Sequence, residues 1–162
     1  MDAASKSLMQ MYSHLVCQNG GNVLDIGFGM GFSAEEMSKL SNHYTCIEIN
    51  PQIYEKAKNW AKNKSNVTII FGDWIDIIPK LEQKFDGIFM DTHDDVNYEN
   101  FEKCCKTIAK ENCILSIFNY FTIRKQNELN HYEYKLEPYK FTKTRHFITY
   151  NKLDIFQKMV IL

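Results

Sequence analysis

Seven glycines and three prolines in 162 residues leave little material for flexible linkers, and neither a low-complexity stretch nor an internal repeat is visible. The five cysteines are odd in number and form no CxxC pair, and Cys104 and Cys105 sit side by side on a predicted helix. That usage suits reduced, structurally buried thiols better than a disulfide frame or a zinc site. No apolar run approaches the roughly 18 residues of a membrane span. The opening MDAASKSLMQMYSH also lacks a basic stretch followed by a hydrophobic one. The expectation is a cytoplasmic chain with no membrane partner. Lys and Arg number 19 against 20 Asp and Glu, a net charge of -1, so the excess of positive charge that grips nucleic acid phosphates is missing. Nucleic acid is not an expected partner, although lysines toward the carboxyl end leave a local basic face open.

What is present suits one core: 44% of residues are hydrophobic and 14% aromatic. Apolar bursts at Val23 to Ile26, Tyr44 to Ile49, Val67 to Phe71, Gly87 to Met90 and Ile114 to Phe118 read as strands buried on both faces. Between them run helical stripes: Leu8, Met11, Tyr12, Leu15 and Val16; then Ile53, Ala57, Trp60 and Ala61; then Phe101, Cys104, Cys105, Ile108 and Ala109. The alternation predicts an α/β fold with a doubly wound, mostly parallel Rossmann-like sheet and a ligand crevice at the carboxyl ends of its strands. HYEYKLEPYKF, RHFITYN and KMVIL read as an antiparallel carboxyl-terminal edge. Residues 1–162 are expected to form a single domain: a short amino-terminal helix over 1–20, a ligand-binding core over 21–120 and edge strands over 121–162.

The stretch NVLDIGFGMGF carries Gly27, Gly29 and Gly31 where the first strand must turn into a helix. The spacing of Ser33 and Glu36 predicts a capping box at that helix start. Glycine there supplies positive φ and lets a ligand approach the backbone. A dinucleotide fingerprint would need glycine where Phe32 stands, so the pattern favours a ligand lying across the loop over a pyrophosphate on the helix end. Glu48 closes the second strand at the distance from the glycines where an acid can hold both hydroxyls of a ribose. In FGDWID, Asp73 can accept from an adenine amino group, and Trp74 can either face that ring or pack in the core.

VLDIGFGMG, IEIN, GDWID and FDGIFMDT, in this order and spacing, resemble the class I S-adenosylmethionine-dependent methyltransferases. GFGM, GDW, FDGIFMDT and SIFNYF together resemble the guanidinoacetate N-methyltransferase and arginine δ-N-methyltransferase group, and RHFITYNKLDIFQKMVIL is similar to that group's closing strands. The resemblance implies a cofactor site for S-adenosylmethionine. In it Gly27, Phe28, Gly29, Met30 and Gly31 line the methionyl part, Glu48 takes the ribose, and Gly72, Asp73 and Trp74 surround the adenine. Asp25, Ile49 and Asp91 complete the expected cofactor set. Asp91 would take the guanidino nitrogens of the acceptor, Asn119 and Tyr120 would border its pocket, and Tyr12 and Thr92 would also touch it.

The chemistry of a carboxylate at Asp91 agrees with this role. Methyl transfer is an in-line displacement that asks chiefly for alignment and a dry, electrostatically prepared site. A guanidino group is protonated, delocalised and forked, so a carboxylate can grip it bidentately and accept the proton that the attacking nitrogen sheds. Asp91, Asp94 and Asn119 are the expected catalytic set; Asp94 and Asp95 can alternatively cap the helix that begins near Tyr98. Two features depart from the family pattern. Aligning MYSH with the family's Tyr-x-His puts Met9 where small-substrate members carry a second acid, and only about 20 residues precede the first strand, so the acceptor can be a small molecule, a peptide or a protein. Two rival readings are a non-catalytic S-adenosylmethionine-binding module and a metal-assisted O-methyltransferase. For the latter, Phe118 before Asn119 leaves the oxygen cluster incomplete, and no resident metal is expected. In place of the Asn/Asp-Pro-Pro-aromatic motif of base-directed methyltransferases the chain has DTHD, and His93 there reads as an exposed loop residue. A homodimer is left open.

Overall fold

The computed structural model describes residues 3–92, 98–118 and 157–161. Helix α1 spans Ala3–Val16, and strand β1, Asn22–Ile26, leads through the glycine loop into α2, Phe32–Leu40. Then come β2 (His43–Glu48), α3 (Pro51–Ala61), β3 (Val67–Phe71), the four-residue α4 (Trp74–Ile77) with a 3-10 turn over Ile78–Lys80, β4 (Phe85–Asp91), α5 (Tyr98–Ile108), β5 (Ala109–Phe118) and β6 (Gln157–Ile161). The strands form one sheet in the order β3-β2-β1-β4-β5-β6. β1 to β5 are parallel, as the alternation of strands and helices predicts, and β6 pairs antiparallel with β5. The HYEYKLEPYKF and RHFITYN segments of the expected edge lie outside the described residues.

Successive residues of a buried parallel strand feed opposite layers. Val23 joins Tyr12, Val16, Met37, Tyr44 and Ala57 in the core beneath α1, α2 and α3. Leu24 and Ile26 join Ile47, Ile88, Phe101, Cys105 and Leu115 in the core beneath α4 and α5. Two helical layers therefore clamp the sheet. The strand order reverses between β1 and β4, which makes their carboxyl ends the topological switch point. Among the described residues no helix is long and apolar enough to cross a membrane. The five thiols are free, four of them buried and Cys104 half-buried.

Two local expectations are corrected. Ser33 is not a helix cap: Gly31, at φ +79°, opens α2 from the left-handed region with no side-chain cap, and Ser33 lies inside the first turn with its hydroxyl donating to Asp25 Oδ2 at 2.9 Å. A buried carboxylate thus competes successfully for the hydroxyl that would otherwise satisfy a helix end. The fifth strand also begins earlier than Ile114. Phe85 pairs with Ala109 and Gly87 with Ile114, a register shift that admits Asn112 at φ +61°, while Lys110 reaches Asp86 at 2.7 Å.

Candidate active site

Four segments meet at the switch point. The loop after β1 begins at Gly27, whose N–H donates to Ile47 O at 2.9 Å, so the ladder with β2 runs one step past the strand. Gly27 has φ +95°, and a Cβ built there would stand 2.5 Å from the backbone oxygen of Asp91. Only glycine lets β1 and β4 close at this point. Gly29 at φ +53° and Gly31 at φ +79° keep the loop in the left-handed region. The Phe28 ring turns inward, tilted 5.4 Å from Trp60 and beneath Gly31, so Phe28 faces the loop with its backbone. The side chain of Met30 instead stands 60% exposed.

Glu48 ends β2 with its carboxylate almost fully buried. Its Oε2 accepts from Phe28 N–H and its Oε1 from Asn50 N–H, both at 2.8 Å. The first loop is therefore tied to the end of β2 through the residue expected to hold a ribose, and two backbone donors fix its carboxylate. Gly72 extends β3 in the same way, donating to Glu48 O at 3.1 Å from φ +146°. Asp73 caps α4, with Oδ1 accepting from Ile75 N–H at 3.0 Å. Trp74 packs in the core, meeting Phe101 edge-on at 5.1 Å, and is half-buried. Ile49, Phe71 and Ile75 are exposed like Met30, and all four sit at the carboxyl ends of β1, β2 and β3.

Asp91 closes β4, half-buried, with Thr92 beside it; the Thr92 methyl lies 3.8 Å from a Cβ built on Gly27. Tyr12 of α1 is buried below, stacked on Phe89 of β4 at 5.5 Å. Its phenol is held well above the ordinary value by burial and then by the charge of Asp91, which shows how near the two lie. Beneath the loop, Asp25 is fully buried, and its Oδ2 accepts from Tyr44 Oη at 2.7 Å and from Ser33 Oγ at 2.9 Å. Among the described residues its Oδ1 has no hydrogen-bond partner. Sequence reasoning missed Ser33 and Tyr44 in this cluster; the only signal was polar groups at positions facing a core. Asp94, Asn119 and Tyr120 lie outside the described residues, as do Asp95 and His93. Met9, at the position of the expected second acid, is buried among the apolar side chains of the α1 layer.

The family model of guanidinoacetate N-methyltransferase matches residues 1–135, most of the chain. The chain belongs to that family. Parts of this guanidinoacetate N-methyltransferase family member are also 36% identical, over 88 residues, to protein arginine N-methyltransferase 2 of Yarrowia lipolytica, covering 51% of the chain and 18% of that protein. With the protein of the same name from Saccharomyces cerevisiae the identity is 36% over 100 residues, covering 57% and 23%. The chain thus spans about a fifth of the length of the curated relatives it matches. Among solved structures it is similar to an O-methyltransferase of Bacillus cereus in complex with SAH, with a TM-score of 0.61 at 16% identity, covering 74% of this chain and 58% of the other. It is also similar to a Staphylococcus aureus protein described as a caffeoyl-CoA O-methyltransferase, with a TM-score of 0.58 at 22% identity, covering 72% and 57%. At these identities the likeness establishes the fold.

Proposed function

We propose that this family member binds S-adenosylmethionine across the Gly27–Gly31 loop and transfers its methyl group to a nitrogen of a guanidino or amide-like acceptor, a small molecule or an arginine-bearing peptide or protein. The observation that carries the reading is the convergence of Glu48 and Asp91 on one glycine loop, the first through the Phe28 N–H and the second through close backbone packing on Gly27. The residues present fit the cofactor in two further respects. Asp25 Oδ1 is a buried polar atom without a described partner, and the charges that act on it, Asp91 and Glu48, are both negative. A cationic ligand offsets such a field. The exposed apolar side chains at the strand ends, Ile49 and Ile75 among them, supply walls for a flat ring.

When bound, S-adenosylmethionine supplies an electrophilic methyl on a sulfonium. Everything else falls to the chain. Glu48, fixed by two backbone donors, holds the ribose hydroxyls and thereby the reach of the cofactor. The glycine backbone brings the methyl near the end of β4. Asp91 grips the guanidino fork, draws positive charge toward the nitrogens that do not react, and accepts the proton of the one that does. The relatives named for arginine methylation and the family named for guanidinoacetate share a guanidino acceptor, which supports that class for this chain.

Incubation with radiolabelled S-adenosylmethionine and a panel of guanidino compounds, arginine peptides and a cell lysate tests the reading, and product identification names the acceptor. Turnover should persist in EDTA; its loss, with recovery on adding magnesium, would favour the metal-assisted O-methyltransferase reading instead. Binding without turnover on any acceptor would favour the non-catalytic module, a reading to which the burial of Met9 in place of a second acid lends support.

A further inference from the structure

Asp91 and Glu48 act at the open side of the loop, whereas Asp25 lies beneath it with no part in the transfer. Its surroundings are unusual for a carboxylate. It is 0% exposed, both of its donors converge on Oδ2, and Oδ1 has no described partner. Among the described residues, the groups that face it are Cys17 of α1, Ser33 of α2, Tyr44, Cys46 and Glu48 of β2, and Asp91 of β4. None of these is a cation. Burial, followed by the repulsion of Asp91 and Glu48, outweighs the two hydrogen bonds and lifts the carboxyl to about 7. Either form leaves Oδ1 unpaired among the described residues, and a neutral O–H left so costs less than a charged oxygen, which favours the neutral acid.

We infer that Asp25 is a charge sensor under the glycine loop, keeping a proton on Oδ1 until a cation seats above Gly27 to Gly31 and then releasing that proton to solvent. The inference rests on the proposed cofactor reading and deepens it. One O–H bond breaks, the proton passes to buffer, and no electrons are exchanged. S-adenosylmethionine carries one positive charge more than its thioether product, so Asp25 ionises further under the substrate form of the cofactor than under the spent form. The site then prefers the charged cofactor more strongly as pH rises toward neutrality, and reprotonation of Asp25 accompanies loss of the sulfonium charge.

Calorimetric titration of the whole chain with S-adenosylmethionine and with S-adenosylhomocysteine, between pH 5.5 and 7.5 and in two buffers of different ionisation enthalpy, counts the protons released. Near pH 6 the first compound should release close to one proton and the second less than half of one. Affinity for S-adenosylmethionine should strengthen by up to about tenfold per pH unit below ~7. Asp25→Asn should abolish the release. Tyr44→Phe, which removes one donor to the carboxylate and keeps the ring, should move the midpoint to higher pH and tests the idea even if Asp25→Asn does not fold. Equal proton counts for the two compounds, or a count unchanged in Asp25→Asn, would overturn the sensor while leaving cofactor binding intact. Failure of both compounds to bind at every pH would overturn the cofactor reading and the sensor with it.

Discussion

Asp91 and Glu48 sit at matching strand ends, yet the structure equips them differently. Glu48 is almost fully buried and already satisfies two backbone N–H groups, so it serves the loop in addition to the ribose role proposed for it. Glu48→Ala should weaken S-adenosylmethionine binding by ~1–3 kcal/mol and lower stability by a similar amount, since one buried and one part-buried donor lose their acceptor. Calorimetry and a urea melt on the same variant separate the two losses. An unchanged affinity would remove the ribose role. Asp91 is half-buried at the end of β4; with the acceptor-gripping role proposed for it, Asp91→Asn should keep cofactor affinity while lowering kcat by ~100-fold or more, the range for losing one prepared charge or proton acceptor. A variant nearly as active as the native chain would place the reacting carboxylate elsewhere. Glu48, Asp91 and the glycines were legible because strand-end acids and post-strand glycines leave a pattern in one dimension. The supporting pair Ser33 and Tyr44 was not, because Ser33 was read from helix-cap spacing and Tyr44 from strand hydrophobicity, whereas only the packing of α2 against the sheet turns both hydroxyls onto Asp25.

The glycine loop shows how an element depends on a contact made by another. Gly20 and Gly27 both have positive φ, +61° and +95°, but a Cβ at Gly20 meets nothing within 4 Å, whereas one at Gly27 meets the Asp91 backbone at 2.5 Å. Alanine at either position pays backbone strain of ~1 kcal/mol or more. At Gly27 the β1–β4 contact must open as well. Gly27→Ala should therefore lose clearly more stability than Gly20→Ala, and should lose cofactor binding that Gly20→Ala retains. Paired urea unfolding curves and calorimetry on the two variants check this; equal losses would show that conformation alone sets the need for glycine. The sequence placed β1 to β4 to within a residue or two because each is a short, predominantly apolar burst bounded by polar or glycine residues. The start of β5 escaped it, since Ala109 to Cys113 reads as polar, and what recruits that stretch into the sheet is pairing of Ala109 with Phe85 and of Lys110 with Asp86.

At the scale of the whole molecule a net charge of -1 conceals an uneven field, with Asp25, Glu48 and Asp91 gathered at one end of the sheet. That arrangement predicts how stability without ligand depends on pH. An unfolded Asp titrates near ~3.9, whereas Asp25 in the fold titrates at about 7. Between these values the folded chain binds more protons than the unfolded one, so stability must fall as pH rises. The slope reaches at most about 1.4 kcal/mol per pH unit, and it vanishes above neutrality once Asp25 is ionised in both states. Burial also pushes the Cys17 and Cys113 thiols up to about 12, which starts a second decline above an unfolded thiol value near ~8.5. Glu35, held low first by its hydrogen bond from Lys39, acts in the opposite sense, but its contribution is lost only below the ordinary Glu range. Thermal melts from pH 4.5 to 10 should therefore show a fall to about neutrality, a plateau, and a second fall. Saturating S-adenosylmethionine should flatten the first fall, because a ligand that favours ionised Asp25 binds more tightly as pH rises and returns the stability lost. A melting temperature that climbs between pH 4.5 and 7 without ligand would mean that Asp25 is ionised throughout that range and would remove the raised carboxyl from the account.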